Sequence, residues 1–266
     1  AYRLGLASLV LLPFAYQKRK EISEFHKRQW LLALGAGGIL ALHFAAWITS
    51  LEYTSIASSV VLVTTTPLWV AIFSPIFLKE RLNRAAVFGL GIAMIGGTVV
   101  GLSEACSLSQ AGLECNSLQG FWSGRAAFGN FLALVGAWMA AGYMMIGRGL
   151  RPGLSLISYV FVVYGVAALV LMGLVGLAGL PLTGYRPTTF IWFAALAIIP
   201  QLLGHSSLNW ALRYLPASFV SVSLLGEPIG SILLAFLFLD EIPTGLEFAG
   251  GVLILMGIVL ASRNQK

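Results

Sequence analysis

Glu227 is the only acidic residue deep inside any long apolar run of this chain, and Pro228 follows it at once in the stretch SLLGEPIGSI. A carboxylate there would accept a proton, a cation or the N–H of a small solute, and the proline lacks the backbone N–H that an unbroken helix uses. Ser223, four residues earlier, would share its helical face. The preceding apolar run carries Gln201, His205 and Asn209 at spacings of four, which an α-helix would place along one polar stripe. Histidine titrates near neutrality in an ordinary setting, so His205 and Glu227 would form a proton-sensitive pair. In the first half of the chain Thr64, Thr65 and Thr66 precede Pro67, and His43 and Trp47, four apart, would supply an aromatic wall.

Two uses are open for these stripes. One is recognition of a polar solute; the other is hydrogen bonding between membrane helices, worth about 1 kcal/mol per contact. For Thr64 and Thr65 the expectation is that their hydroxyls rebond carbonyls released by the proline. Patterns of the HExxH, CxxC, GxSxG or GxxxxGK[ST] type are absent from the sequence. The reading is therefore of no enzyme, no metal and no cofactor, with proton coupling as the one ionic partner considered.

The elements that must position these residues follow from composition. Of 266 residues, 58% are hydrophobic and 10% charged, and mean hydropathy is +0.89, well above what a soluble domain of this length shows. Crossing a hydrocarbon layer of about 30 Å takes about 20 helical residues. Runs long enough recur at 30–50, 55–78, 85–102, 126–146, 154–180, 190–212, 217–239 and 246–261, and a shorter piece at 1–16 makes nine candidate spans. None alternates as a barrel strand would. The expected class is an all-α polytopic membrane protein.

The net charge of +6 is explained by topology. With these spans, thirteen of the sixteen Lys and Arg residues fall on one side, including Arg148 and Arg151, and only Arg3, Arg125 and Arg186 on the other. Positive charge marks the cytoplasmic side, so the carboxyl terminus is expected there, and the basic balance is read as attraction to anionic lipid rather than to nucleic acid. The longest polar loop, on the other side, holds Cys106 and Cys115. A disulfide between them and two free thiols are equally open readings.

An offset of 161 aligns the chain with itself, pairing Leu51 with Leu212, Tyr53 with Tyr214, Pro67 with Pro228, Glu80 with Glu241, Gly89 with Gly250 and Gly96 with Gly257. The register places Thr66 opposite Glu227. It predicts two related repeats, 1–103 and 126–266, separated by an external loop at 104–125. Because 126–146 has its counterpart before residue 1, the repeat also predicts one helix ahead of Ala1. Restoring it gives ten helices as five plus five, and an odd number per repeat inverts one half in the bilayer. Inverted repeats of this kind build secondary carriers, with the solute site near the membrane midplane.

The pattern of Tyr53, Pro67, Lys79-Glu80-Arg81 and Gly89, repeated as Tyr214, Glu227-Pro228, Asp240-Glu241 and Gly250, resembles the EamA-type carriers of the drug/metabolite transporter superfamily. The resemblance implies ten spans, both termini in the cytoplasm of a bacterial inner membrane, and export of a small metabolite such as an amino acid or related compound. On that reading Glu227, His205, Asn209, Gln201 and Ser223 line the solute site with Thr66, His43 and Trp47, while Pro67 and Pro228 are flexing points. The alternative is a membrane scaffold or subunit that turns the same polar stripes toward partner helices. The glycine pairs are expected to let helices approach closely.

Overall fold

The computed structural model describes residues 1–80, 82–102, 106–109, 112–115, 124–240 and 242–263. Its helices are α1 (Tyr2–Gln17), α2 (Arg19–Ser23), α3 (Lys27–Ser50), α4 (Ile56–Val63), α5 (Thr66–Phe77) and α6 (Arg84–Leu102), then α7 (Gly124–Leu150), α8 (Leu156–Leu177), α9 (Pro187–Leu196), α10 (Ser206–Ala211), α11 (Ala217–Ser223), α12 (Glu227–Leu239) and α13 (Gly245–Ser262). Eight helical stretches among the described residues are long and apolar enough to cross a membrane. Helices α4 with α5, and α11 with α12, count as one stretch each. The expected ninth span corresponds to α1, whose 16 residues rise only about 24 Å, short of the hydrocarbon thickness. Large apolar side chains stand outward, with Leu177 88% and Phe238 77% exposed, as surfaces that face lipid require.

Between α6 and α7 a two-stranded antiparallel ladder, β1 (Cys106–Ser109) and β2 (Gly112–Cys115), sets Cys106 opposite Cys115. The two cysteine side chains, and with them the disulfide question, lie outside the described residues, as does Glu241.

The chain forms two compact units, each drawing on both sequence halves. One comprises Ala1–Ala45 and Gly142–Leu215. In it α1 packs against α8 and α9, burying Leu4, Ala7 and Ala15 of α1 and Val163, Tyr164, Ala167 and Leu171 of α8. A Cβ added at Gly37 would lie 2.8 Å from the Val163 carbonyl oxygen, so only glycine lets α3 approach α8 this closely. Ser155 caps α8, its hydroxyl accepting from the Ser158 N–H, and its own N–H donates to the Glu21 carboxylate at 2.7 Å. Partial burial opposes ionisation of Glu21, but the Ser155 N–H, the Ser155 and Ser158 hydroxyls and nearby Lys18 outweigh it and hold this carboxyl below its usual range. A depressed folded pKa stabilises the fold above the unfolded value, and that contribution disappears as pH falls through the folded value. Glu21→Gln is therefore expected to lower the melting temperature at pH 7, with the gap to wild type closing below about pH 4.5 in thermal unfolding of purified protein.

The other unit comprises Ala46–Ala141 and Pro216–Lys266. Its core is α6 against α13. A Cβ at Gly89 would meet the Gly257 carbonyl oxygen at 2.5 Å, and one at Gly96 would meet the Gly250 oxygen at 2.6 Å. Partner numbers fall along α13 as they rise along α6, so the helices run antiparallel, and the expected close approach of these glycines is observed. Exchanging repeat-related positions turns one contact into the other.

Both prolines stand at helix starts rather than inside continuous helices. The stretch before Pro67 ends as α4 at Val63, and a new helix, α5, begins at Thr66, so Pro67 occupies the first turn. There a missing N–H goes unused in any helix and the fixed φ suits the geometry. The second half repeats this at the equivalent residues: α11 ends at Ser223, a 3₁₀ turn covers Leu224–Gly226, and α12 begins with Glu227-Pro228. Downstream, Lys79 and Asp240, again equivalent by the offset of 161, both adopt left-handed backbone with φ of 58° and 55°. Such a residue commonly stops a helix. Glu80 then caps α11, accepting the Ala217 N–H at 3.0 Å.

Candidate functional site

In the first unit, the polar stripe on the run that holds Gln201, His205 and Asn209 is real, although its helix is not continuous. Between α9 and α10 the backbone is π-helical over Ala197–His205. Pro200 inside it removes one donor, and i→i+5 bonding widens the turn, a feature that recurs at functional sites. Gln201 and Asn209 are both fully buried. The Asn209 Nδ2 donates to the His205 carbonyl at 2.7 Å and approaches the Tyr143 hydroxyl at 2.5 Å and that of Tyr164 at 3.3 Å. Tyr164 in turn meets the Ser206 hydroxyl at 3.3 Å.

Around this stripe the fold brings groups that the sequence reading did not connect with it. Arg3 lies in the first turn of α1; its Nε donates to Gln201 Oε1 at 2.7 Å and its guanidinium lies 4.6 Å from the centre of the Phe44 ring. The other face of the cluster holds His205, 5.5 Å from Phe44, and the buried His43, 4.9 Å from the same ring, centre to centre. Arg151, counted among the cytoplasmic loop charges, is 1% exposed. Its Nε donates to the Asn209 carbonyl at 2.8 Å, a second bond reaches the Leu154 carbonyl, and the cation sits 5.9 Å from the Tyr159 ring centre. Arg148 donates to the carbonyls of Leu212 and Arg213 just beyond α10. Two arginines thus hold the end of the helix that carries Asn209.

Four polar atoms of this cluster are buried and lack a hydrogen-bond partner: Gln201 Nε2, His205 Nδ1, Asn209 Oδ1 and the Tyr159 hydroxyl. Burying such a group unpaired costs about 1–3 kcal/mol, and several in one place mark a region shaped for something other than stability. An amide N–H only donates and an amide oxygen only accepts, so the set offers both kinds of contact to a polar solute.

The remaining candidates lie in the second unit. Thr66 is buried and its hydroxyl donates to the Val63 carbonyl at 2.8 Å. Thr64 and Thr65 bond the carbonyls of Val60 and Leu62 at 2.8 and 2.6 Å, the carbonyl repair expected of them. Ser223 bonds back to the Phe219 carbonyl at 3.0 Å. Glu227 is exposed in the first turn of α12, where a helix dipole favours a carboxylate. Trp47 is half-buried near the end of α3.

The sequence reading found three members of the first-unit cluster on one helix, and His43 on another. It missed Arg3, whose signal was a cation inside an apolar piece, and Tyr143, Tyr159 and Tyr164, which blend into apolar runs because a phenol is both apolar body and polar tip.

The chain is 27% identical over 270 residues to the pseudopaline exporter CntI of Pseudomonas aeruginosa, covering all of this chain and 85% of the exporter. It is 24% identical over 205 residues to a probable terminal-alkyne amino-acid exporter of Streptantibioticus cattleyicolor, covering 76% of this chain and 63% of that one. A crystal structure at 17% identity superposes with a TM-score of 0.78 over 99% of this chain and 86% of its own, a likeness of fold. The EamA-like transporter family matches residues 1–102 and 127–263. This multi-pass membrane protein belongs to the EamA-like transporter family.

Proposed function

We propose that the chain is a secondary transporter that exports a small polar or amphipathic metabolite, an amino acid or related compound, across the bacterial inner membrane by alternating access, with its carboxyl terminus in the cytoplasm. The observation that carries this reading is the first-unit cluster of Gln201, His205 and Asn209, in which Gln201 Nε2, His205 Nδ1 and Asn209 Oδ1 are buried without a hydrogen-bond partner inside membrane-length helices. The likeness to two proteins named as exporters supports it.

The proposed frame is a pair of inverted repeats, 1–103 and 126–266. Equivalent helix breaks before Pro67 and Pro228, the antiparallel α6 and α13, and the matched left-handed residues Lys79 and Asp240 all support it. The breaks at 64–65 and 224–226 serve as flexing points, since each already interrupts a membrane stretch. Glu227, at the second break, is the residue through which export couples to protons. Within the first unit the solute is met by Gln201, His205, Asn209 and His43. In cells expressing the full-length protein, Glu227→Gln is expected to leave export measurable while flattening its dependence on external pH at matched membrane abundance. Export that keeps the wild-type pH profile in Glu227→Gln would remove Glu227 from the coupling step.

A further inference from the structure

One lateral face of the first unit joins an apolar groove to a patch of positive charge, and neither takes part in the polar cluster. We infer that this face binds one anionic phospholipid, its acyl chains lying along α1 and its phosphate meeting Arg19 and the cations beside it. The lipid belongs to the leaflet that meets residues 18–28, the cytoplasmic one in the orientation proposed above. The groove lies between α1 and the run of α9 with the π-helical segment. It has a volume of about 310 Å³ and is lined by Leu6, Leu9, Val10, Ala194, Ala197 and Ile198, all apolar. Pro13 and Tyr16 continue the same face of α1 at spacings of three, and Leu9, Pro13 and Tyr16 are all exposed. An apolar groove open at the side of a membrane helix meets acyl chains there.

The head end of this face is set by Tyr16. The Arg19 guanidinium lies 4.6 Å from the centre of its ring and donates to its carbonyl at 3.2 Å, so the cation is held at the top of the apolar face. At 1.5 Å per helical residue the rise from Leu9 to Arg19 is about 15 Å, half of a hydrocarbon layer of about 30 Å. A chain whose phosphate sits at Arg19 therefore ends in the groove. Lys18, Lys20, Lys27 and Arg28 stand exposed in the same connection between α1 and α3. Of its two acids, Glu21 is turned to the Ser155 N–H at 2.7 Å, which leaves Glu24 as the exposed one. The connection is also anchored by Phe25, which is buried, with its ring 5.4 Å from that of Trp30. The five cations thus project from a backbone fixed at two points, where charge-assisted hydrogen bonds to phosphate form at little ordering cost. Basic clusters just beyond a membrane helix attract anionic lipid heads, and the groove below this one favours a lipid over a free phosphate.

The test titrates full-length protein in detergent with dioleoyl phosphatidylglycerol and, separately, with zwitterionic dioleoyl phosphatidylcholine, counting the first bound lipid by native mass spectrometry. Wild type is expected to bind the anionic lipid at least tenfold more tightly. Arg19→Gln/Lys20→Gln is expected to weaken phosphatidylglycerol at least tenfold and to leave phosphatidylcholine unchanged, which also reports that the variant is folded. Leu9→Trp, which fills the groove from an exposed position, is expected to weaken both lipids at least threefold. Arg84→Gln removes an exposed cation counted on the same membrane side but carried by the other unit, and is expected to bind as wild type does. Equal binding of the two lipids by wild type overturns the inference. So does an Arg84→Gln protein weakened as much as the double variant, the result that diffuse attraction to net charge gives. Wild-type affinity in Leu9→Trp overturns it too, because the chains then lie elsewhere, as they would if another helix of the full-length protein filled the groove. Displacement of the lipid by an equal concentration of glycerol 3-phosphate would reveal a site for free phosphate and overturn it as well.

Discussion

Gly257→Leu is expected to separate α6 from α13 and to destabilise the protein by about 3 kcal/mol, at the upper end of what overpacking usually costs. The reason is that the obstacle is backbone. A Cβ at Gly257 would lie 2.5 Å from the Ala93 nitrogen and 2.6 Å from the Gly89 carbonyl oxygen, and neither can rotate away as a side chain would. In lipid the two helices are held by close packing rather than by exclusion of water, so losing contact at this seam removes the main attraction between them. The internal control is Gly91→Ala on α6, where an added Cβ meets nothing within 4 Å. It should be neutral or slightly stabilising because alanine favours helix. Thermal unfolding in detergent, followed by size-exclusion profile, separates the two outcomes. A Gly257→Leu protein as stable as Gly91→Ala would contradict the packing account.

Asn209→Ala is expected to lower export at least tenfold while the protein still inserts. Its amide is the junction of the cluster: Nδ2 contacts the His205 carbonyl and the hydroxyls of Tyr143 and Tyr164, and Oδ1 is unpartnered. Truncation leaves buried hydroxyls short of a partner, about 1–3 kcal/mol each, and loosens the orientation of Tyr143 and Tyr164. The anchoring of α10 survives, because Arg151 bonds the main-chain carbonyl of residue 209 rather than its side chain. That is why function is expected to fall more steeply than stability. His205→Ala removes the neighbouring ring from Phe44 and is expected to act in the same direction.

Much of the fold can be read from the sequence because the bilayer leaves few choices. Apolar runs of about 20 residues can satisfy their backbone only as helices, and the run limits at 85–102 and 217–239 lie within a residue or so of α6 and of α11 with α12. The repeat register was legible through residues with backbone consequences: Pro67 and Pro228 recur at equivalent helix starts, and Gly89, Gly96, Gly250 and Gly257 recur at one seam. What hydropathy does not encode is local winding. The π-helical turn at Ala197–His205 and the fresh helix starts at Thr66 and Glu227 all fall within runs that look uniformly apolar.

The candidate site was legible where polar residues interrupt an apolar run, as Gln201, His205 and Asn209 do. Arg3 and Arg151 were read only as charges that mark a side of the membrane, and their part in the cluster was not legible. Arg151 sits in the turn after α7, yet its long side chain reaches a carbonyl of α10, a distance in sequence of 58 residues. Side-chain reach of that kind depends on tertiary contact and leaves no periodic trace.

The most direct test is the release of metabolites into the medium by cells expressing the full-length protein, set against cells expressing His205→Ala/Asn209→Ala at equal membrane abundance. The account predicts that at least one small polar metabolite rises tenfold or more with wild type and returns to the background level with the double variant. A medium profile that wild type leaves unchanged, or one that the double variant reproduces in full, would contradict it.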